Sequence, residues 1–229
     1  MKLEVIYEDN HIIAINKSAS DIVQGDKTGD TPLLDYVKEY IKLKYQKPGN
    51  VFLGLPHRLD RPTSGIVLFA RTSKALSRLN DMFKDKDIKK IYWAIVSPSP
   101  EKPEADLEHF LSRNEKQNKS YVFDEEKPQS KRALLHYKTI AKSDLYTLLE
   151  VELKTGRHHQ IRAQLAHIGC PIKGDLKYGA RRSNPDKGIC LHARSIQFSH
   201  PTTKQMIYIE APVPDTKLWK YFEQNLNEG

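Results

Sequence analysis

His57-Arg58-Leu59-Asp60-Arg61-Pro62-Thr63-Ser64-Gly65-Ile66-Val67-Leu68-Phe69-Ala70-Arg71 is a charged turn that runs straight into a continuous apolar stretch. Pro62 fixes its own φ and pushes Arg61 away from the helical region, while Thr-Ser-Gly supplies turn formers, so Asp60 is expected at the head of a strand and not inside it. Ile66 to Ala70 is short, apolar and β-prone, the pattern of a buried central strand. A rigid strand delivering one carboxylate to a surface turn is how folds often present a reactive group. On these residues alone, two bland readings stand beside that one. Asp60 also suits a turn former that caps local backbone groups, and Arg58 and Arg61 suit a solvated ion pair of little energetic value.

Working outward, 229 residues suffice for one large domain or two small ones, and 38% hydrophobic with 29% charged residues is an ordinary soluble composition. Without a repeat or low-complexity tract, the economical reading is a single domain over residues 1–229 with one decorated loop. The net charge of +8 points to a polyanionic partner, because excess Lys and Arg attract phosphates. No run approaches the roughly 18 apolar residues that cross a bilayer. The opening Met1-Lys2-Leu3-Glu4-Val5 lacks a signal-peptide pattern, and the only two cysteines, Cys170 and Cys190, are far apart, so a cytoplasmic protein is expected. His192 follows Cys190 closely, but without a paired Cys or His knuckle no metal site is expected.

The flanking segments read as follows. Val5–Tyr7 and His11–Ile15 form a hairpin, and Gln24–Asp30 a polar loop. Thr31 caps a helix with Pro32 at its first position and Leu34, Val37 and Ile41 on one face. After the central strand, Thr72 or Ser73 caps a helix carrying Leu76, Leu79 and Phe83. Ile91–Val96 is a strand apolar on both faces, in which Tyr92 is either core or functional. Residues 101–131 are polar and are expected to be a solvated excursion.

A second informative region follows. Strands Ala133–Ile140 and Leu145–Leu153 lead into Thr155-Gly156-Arg157-His158-His159-Gln160-Ile161-Arg162. Ile161, Leu165 and Ile168 then repeat at helical spacing, and Gly169 and Pro171 stop the helix. Arg157 and Arg162 therefore lie in or beside its first turn, where the dipole disfavours cations by a few tenths to about 1 kcal/mol each. An anion should compensate, either a nucleic-acid phosphate or the Asp60 carboxylate, unless solvent merely screens the arginines. A basic loop through Arg181 and Arg182, a hairpin from Cys190–Phe198 and Met206–Glu210, and a helix near Asp215–Leu226 complete the chain.

Together, His57–Gly65, Lys90-Ile91-Tyr92, Thr155–Arg162, and Gly169–Asp175 with Tyr178-Gly179 resemble the RluA family of RNA pseudouridine synthases, in order and over nearly the whole chain. Ser18, Gln164 and Cys170 depart from residues common in that family. The S4-like RNA-binding domain that many members of that family carry before the catalytic domain is not expected here.

The resemblance implies an α+β catalytic domain, with a mixed, mainly antiparallel sheet, flanking helices and a central cleft. It implies isomerisation of uridine in ribosomal or transfer RNA without cofactor or metal. The nucleophile falls on Asp60, the active-site tyrosine on Tyr92 and the arginine paired with the aspartate on Arg162. Arg58 becomes the base-displacing residue and Ile161 the apolar floor beneath the uracil, with Arg61, Arg157 and Gln160 also placed on the substrate. RNA is the partner, and a monomer is expected. A catalytically idle RNA-binding or RNA-chaperone homologue is the alternative, and an acid-based glycosidase, which needs two carboxylates, is the third class.

Overall fold

The computed structural model describes residues 3–25 and 29–226, so the middle of the expected Gln24–Asp30 loop lies outside the described residues. The fold is α+β. Chain tracing separates two compact units, Met1–Ile88 with Arg194–Pro212, and Lys89–Ala193 with Val213–Gly229.

In the first unit, β1 (Val5–Glu8) and β2 (Ile12–Lys17) form the expected hairpin, and β2 pairs antiparallel with β3 (Ser64–Ala70). All seven residues of β3 are buried, as expected for a central strand. Apolar side chains are worth about 1.5–3 kcal/mol each when fully buried, so β3 is a firm mount for the turn before it. Helix α1 (Leu33–Lys44) buries Leu33, Val37 and Ile41. The expected face had Leu34 in place of Leu33; the observed set follows the i, i+4, i+8 ridge, and Pro32, not Thr31, is the cap. Helix α2 (Ser73–Asp85) starts as read, with Thr72 Oγ1 accepting the Ala75 N–H at 3.1 Å. Its Ala75 and Leu79 join Ile12, Ile66, Leu68 and Phe198 in the core.

The second unit contains β4 (Lys89–Val96), β5 (Glu104–Asn114), β6 (Lys119–Phe123), β7 (Lys131–Lys142) and β8 (Thr147–Leu153). They pair antiparallel in the order β4-β8-β7-β5-β6. The solvated excursion expected over 101–131 is therefore mostly a long hairpin. Leu107, His109 and Leu111 alternate inward along β5 while Glu104, Asp106 and Glu108 face out, and those charges masked the period of two. Helix α3 (Gln160–His167) and a 3-10 turn (Leu176–Tyr178) follow. Strand β9 (Leu191–Ser199) contributes to both units, β10 (Met206–Glu210) pairs with it in the first, and α4 (Lys217–Asn225) buries Trp219 and Phe222 in the second.

Candidate active site

In the first unit, the Thr63 N–H donates to the Asp60 carbonyl at 3.0 Å and closes a turn over the four residues that end at β3. Asp60 is half-buried at its head. His57 pins the approach, because its Nε2 accepts the Leu68 N–H at 2.9 Å and its ring stacks on Phe83. Arg58 and Arg61 are exposed. Arg58 donates to Gln24 Oε1 at 3.3 Å, and Arg61 pairs with Asp30 at 2.6 Å with both side chains about half in solvent. Such pairs are worth about 0–1 kcal/mol, so a phosphate can replace them at little cost.

Lys17 is the residue of this turn that the sequence reading passed over. The β2–β3 register sets it opposite Gly65, and it is only 1% exposed. Its Nζ donates to the carbonyls of Ser18 and Asp21 at 2.9 Å and of Arg61 at 3.0 Å, using all three N–H groups, and the Ser20 N–H also donates to Arg61. The ammonium thus knots the end of β2 to the Asp60 turn. Burial pushes its pKa down to about 8, opposed by the nearby Asp21 and Asp60 charges and aided by Arg61. The only trace in sequence was a cation ending an apolar strand.

A pH dependence follows. The unfolded lysine titrates near 10.5 and the folded one near 8, so between those values the unfolded chain binds more protons and stability rises with pH. Below that window the buried charge costs stability. Lys17→Met removes the effect, and the stability of the natural protein relative to this variant should rise by on the order of 3 kcal/mol from neutral pH to the top of the window. Urea unfolding of both proteins across that range measures it; a constant difference would show that Lys17 titrates like a free lysine.

In the second unit, Tyr92 is half-buried on β4, paired with Val151 of β8. Lys90 lies two residues earlier on the same face, and burial lowers its pKa. The Thr155–Gln160 loop is braced by Gln160, which is 3% exposed. Its Oε1 accepts from Thr155 Oγ1 at 2.7 Å and from the Arg157 N–H at 3.0 Å, while its Nε2 donates to the Leu134 carbonyl at 3.0 Å. Arg157 is exposed, with Nε donating to the Arg132 carbonyl. Ile161 packs into the core of this unit.

Arg162 forks onto an anion that was neither of the two expected, the carboxylate of Asp175. Its Nε and a terminal N–H donate to the two oxygens of Asp175 at 2.6 and 2.8 Å, and the two side chains are 5% and 1% exposed. This fork is the strong form of an Arg–carboxylate pair. Asp175 was not weighed from sequence, although it lies within a quoted motif. A tight turn presents it: its carbonyl accepts the Tyr178 and Ala180 N–H groups, and Gly174 before it has φ +90°. A Cβ on Gly174 would stand 2.6 Å from Asn184 Nδ2 and 2.9 Å from the Gly188 carbonyl, so only glycine lets the chain pass there.

Next to this pair, Tyr178 OH accepts the Ser120 N–H at 2.8 Å and lies 3.0 Å from His159 Nδ1. Burial first, then the charges of Arg162, His158, Lys177 and Arg113, push His159 down to about 2. It is neutral at physiological pH, so one of its ring nitrogens is a bare acceptor. Among the described residues, His109, Asp124 and His167 bring ligating atoms within 4.8 Å of one another. Gln164 Nε2 lies 3.0 Å from His109 Nδ1, and His167 Nε2 lies 2.9 Å from Asp124, while His109 Nε2 stands 3.8 Å from the same carboxylate oxygen, beyond hydrogen-bond reach.

Comparison with known proteins bears on the chemistry. Residues 11–167 match the family model described as RNA pseudouridylate synthase. The chain is 30% identical over 218 residues to the RNA pseudouridine synthase YlyB of Bacillus subtilis, covering 94% of this chain and 70% of that one. In Vibrio parahaemolyticus it is 33% identical to ribosomal large subunit pseudouridine synthase C, over 94% of this chain and 67% of the relative. It is also 31% identical to tRNA pseudouridine synthase C of the same organism, over 97% and 96%. The fold matches that of human RNA pseudouridylate synthase domain containing 4, with a TM-score of 0.81 at 19% identity over 98% of this chain and 93% of that one.

Proposed function

The chain belongs to the RNA pseudouridylate synthase family, and on that footing we propose that Asp60 is the nucleophile, Arg162 the partner of its carboxylate and Tyr92 the aromatic grip on the base. The reaction is the isomerisation of uridine in RNA to pseudouridine. The bond from ribose C1′ to N1 breaks, the uracil turns while held, C5 is joined to the same ribose, and the C5 proton leaves.

A carboxylate acts on the ribose only while ionised, and a guanidinium beside it favours that form. Asp60 is supported in this role by its place at the head of a wholly buried strand, on a turn closed by Thr63 and tied down by Lys17. Tyr92 holds the detached uracil against Ile161, and its hydroxyl helps take the C5 proton. Since the target atoms are out of reach in a stacked helix, the uridine is flipped and Arg58 fills the gap. Arg61 and Arg157, both exposed, meet flanking phosphates, and Gln160 orders the loop that carries Arg157. An idle RNA-binding homologue would have no use for Asp60, Tyr92 and Arg162 together.

Both units, in this reading, make one catalytic domain that works as a monomer in the cytoplasm, where Cys170 and Cys190 stay reduced; both are free and buried. No helix among the described residues is long and apolar enough to cross a membrane. The substrate is a ribosomal or transfer RNA. Mapping pseudouridine in total RNA from cells with and without the gene tests this: at least one position should lose the modification and regain it with the natural protein but not with an Asp60→Asn copy. An unchanged map would overturn the assignment.

A further inference from the structure

Cations and aromatic rings alternate from the interior of the second unit to its surface. Arg162 Cζ lies 5.1 Å and Lys119 Nζ 5.2 Å from the Tyr178 ring centroid, and the same Nζ is 5.8 Å from the ring centroid of Tyr121. Arg162 and Tyr178 are buried, while Tyr121 is 42% exposed on β6, the terminal strand of the sheet order. Tyr121 also has its hydroxyl tied to Gln117 Oε1, which fixes the ring. Lys177 Nζ donates to the Asn118 carbonyl at 2.9 Å, which sets a second ammonium at the β5–β6 turn, and His158 Nε2 lies 3.1 Å from Asn118 Oδ1.

The charges that bear on the buried end of this ladder are cationic. The charges that act on His159 are those of Arg162, His158, Lys177 and Arg113, and all of them disfavour its protonation. Of the acids in this part of the unit, Asp175 is taken by Arg162 and Asp124 lies 2.9 Å from His167, while Glu115, Glu125 and Glu126 are exposed in the turns that flank β6. A fixed, exposed ring flanked by ammonium groups is the surface on which a single-stranded base stacks while its phosphates are neutralised.

We propose that Tyr121 is a stacking platform for an unpaired RNA nucleotide close to the target uridine, with Lys119 and Lys177 holding the adjoining phosphates. This rests on the reading that Arg162 belongs to the reaction centre, since the ladder connects Tyr121 to Arg162. The occupant is single-stranded RNA and not a duplex, because a paired base has no free face to offer. The platform supplies affinity and placement, so its loss raises the RNA concentration needed for turnover and leaves the saturated rate alone.

The test uses a fluorescein-labelled stem-loop carrying the mapped uridine and a fully paired duplex of equal length. Tyr121→Ala should weaken stem-loop binding by roughly 5- to 150-fold, the range for one stacked base. Tyr121→Phe should stay within about twofold of the natural protein, since the π-face is retained. Duplex binding and the single-turnover rate at saturating enzyme should not change. Independently of any variant, 2-aminopurine beside the target uridine should be quenched on binding the natural protein. Equal affinity for Tyr121→Ala and natural protein, equal losses for stem-loop and duplex, a slower saturated rate at unchanged affinity, or no quenching would each overturn the proposal. Asp60→Asn protein should still quench the probe; an active Asp60→Asn enzyme would sink the nucleophile assignment while leaving the Tyr121 results to stand on their own.

Discussion

Asp60→Asn leaves the protein folded and able to hold RNA, but single-turnover formation of pseudouridine falls by at least about 10⁴-fold, the scale seen when a covalent nucleophile is removed. The substitution keeps the shape of the side chain and its place on the closed turn, and Thr63 donates to the backbone carbonyl of residue 60, which the amide retains. What disappears is the charge that reacts with the ribose. Binding by fluorescence anisotropy separates the two effects: affinity within a few-fold of natural, with product absent, is the expected pair of results. Turnover near the natural rate would remove Asp60 from the chemistry.

Arg162→Met is expected to cost both activity and stability. The guanidinium forms a buried fork with Asp175, and losing one partner of such a pair strands the other charge, at about 3–5 kcal/mol. Its ring contact with Tyr178 would go as well. Urea unfolding should show that loss, and single-turnover assays below the unfolding range should show no product. Arg162→Lys sharpens the test, because an ammonium keeps the charge but cannot make two parallel bonds to Asp175. It should recover part of the stability and little of the rate. A variant unchanged in both respects would mean that Arg162 is incidental to fold and reaction alike.

Much of this architecture was legible before the structure, for local reasons. Pro62, the Thr-Ser-Gly turn and the run from Ile66 to Ala70 specify a turn and a buried strand by backbone restriction and hydrophobicity alone, and Thr72 caps α2 as its side chain requires. Where local signals conflicted, the reading failed. In β5 a histidine occupies the inward register between Leu107 and Leu111, and outward charges hid the alternation, so the segment reads as a solvated excursion with weak strands where the structure has a long hairpin. In α1 the choice between Leu33 and Leu34 depends on which ridge meets the sheet, which local periodicity does not decide.

The residues of the candidate site divide in the same way. Asp60, Tyr92 and Arg162 are proposed through motifs whose order resembles that of a known family. Asp175 and Lys17 were not weighed, because their meaning comes from partners far away in sequence: an arginine on α3 for one, and the carbonyl of Arg61 for the other. Nothing in the stretch around Lys17 announces that three carbonyl groups will converge on it. Gln160 illustrates the converse, since a residue placed on the substrate by resemblance spends both ends of its amide on its own loop and on Leu134.

The Lys17 knot sets the grain at which this protein can be cut and recombined. A chimera that imports the turn around Asp60 from a relative but keeps a foreign strand end would leave the carbonyls of residues 18, 21 and 61 without their shared donor, at roughly 1–3 kcal/mol for each one left buried and unsatisfied. Residues 17–21 and 58–63 therefore form one heritable cassette despite the helix encoded between them. Crossovers inside α1 are safe only when both halves of the cassette come from the same parent.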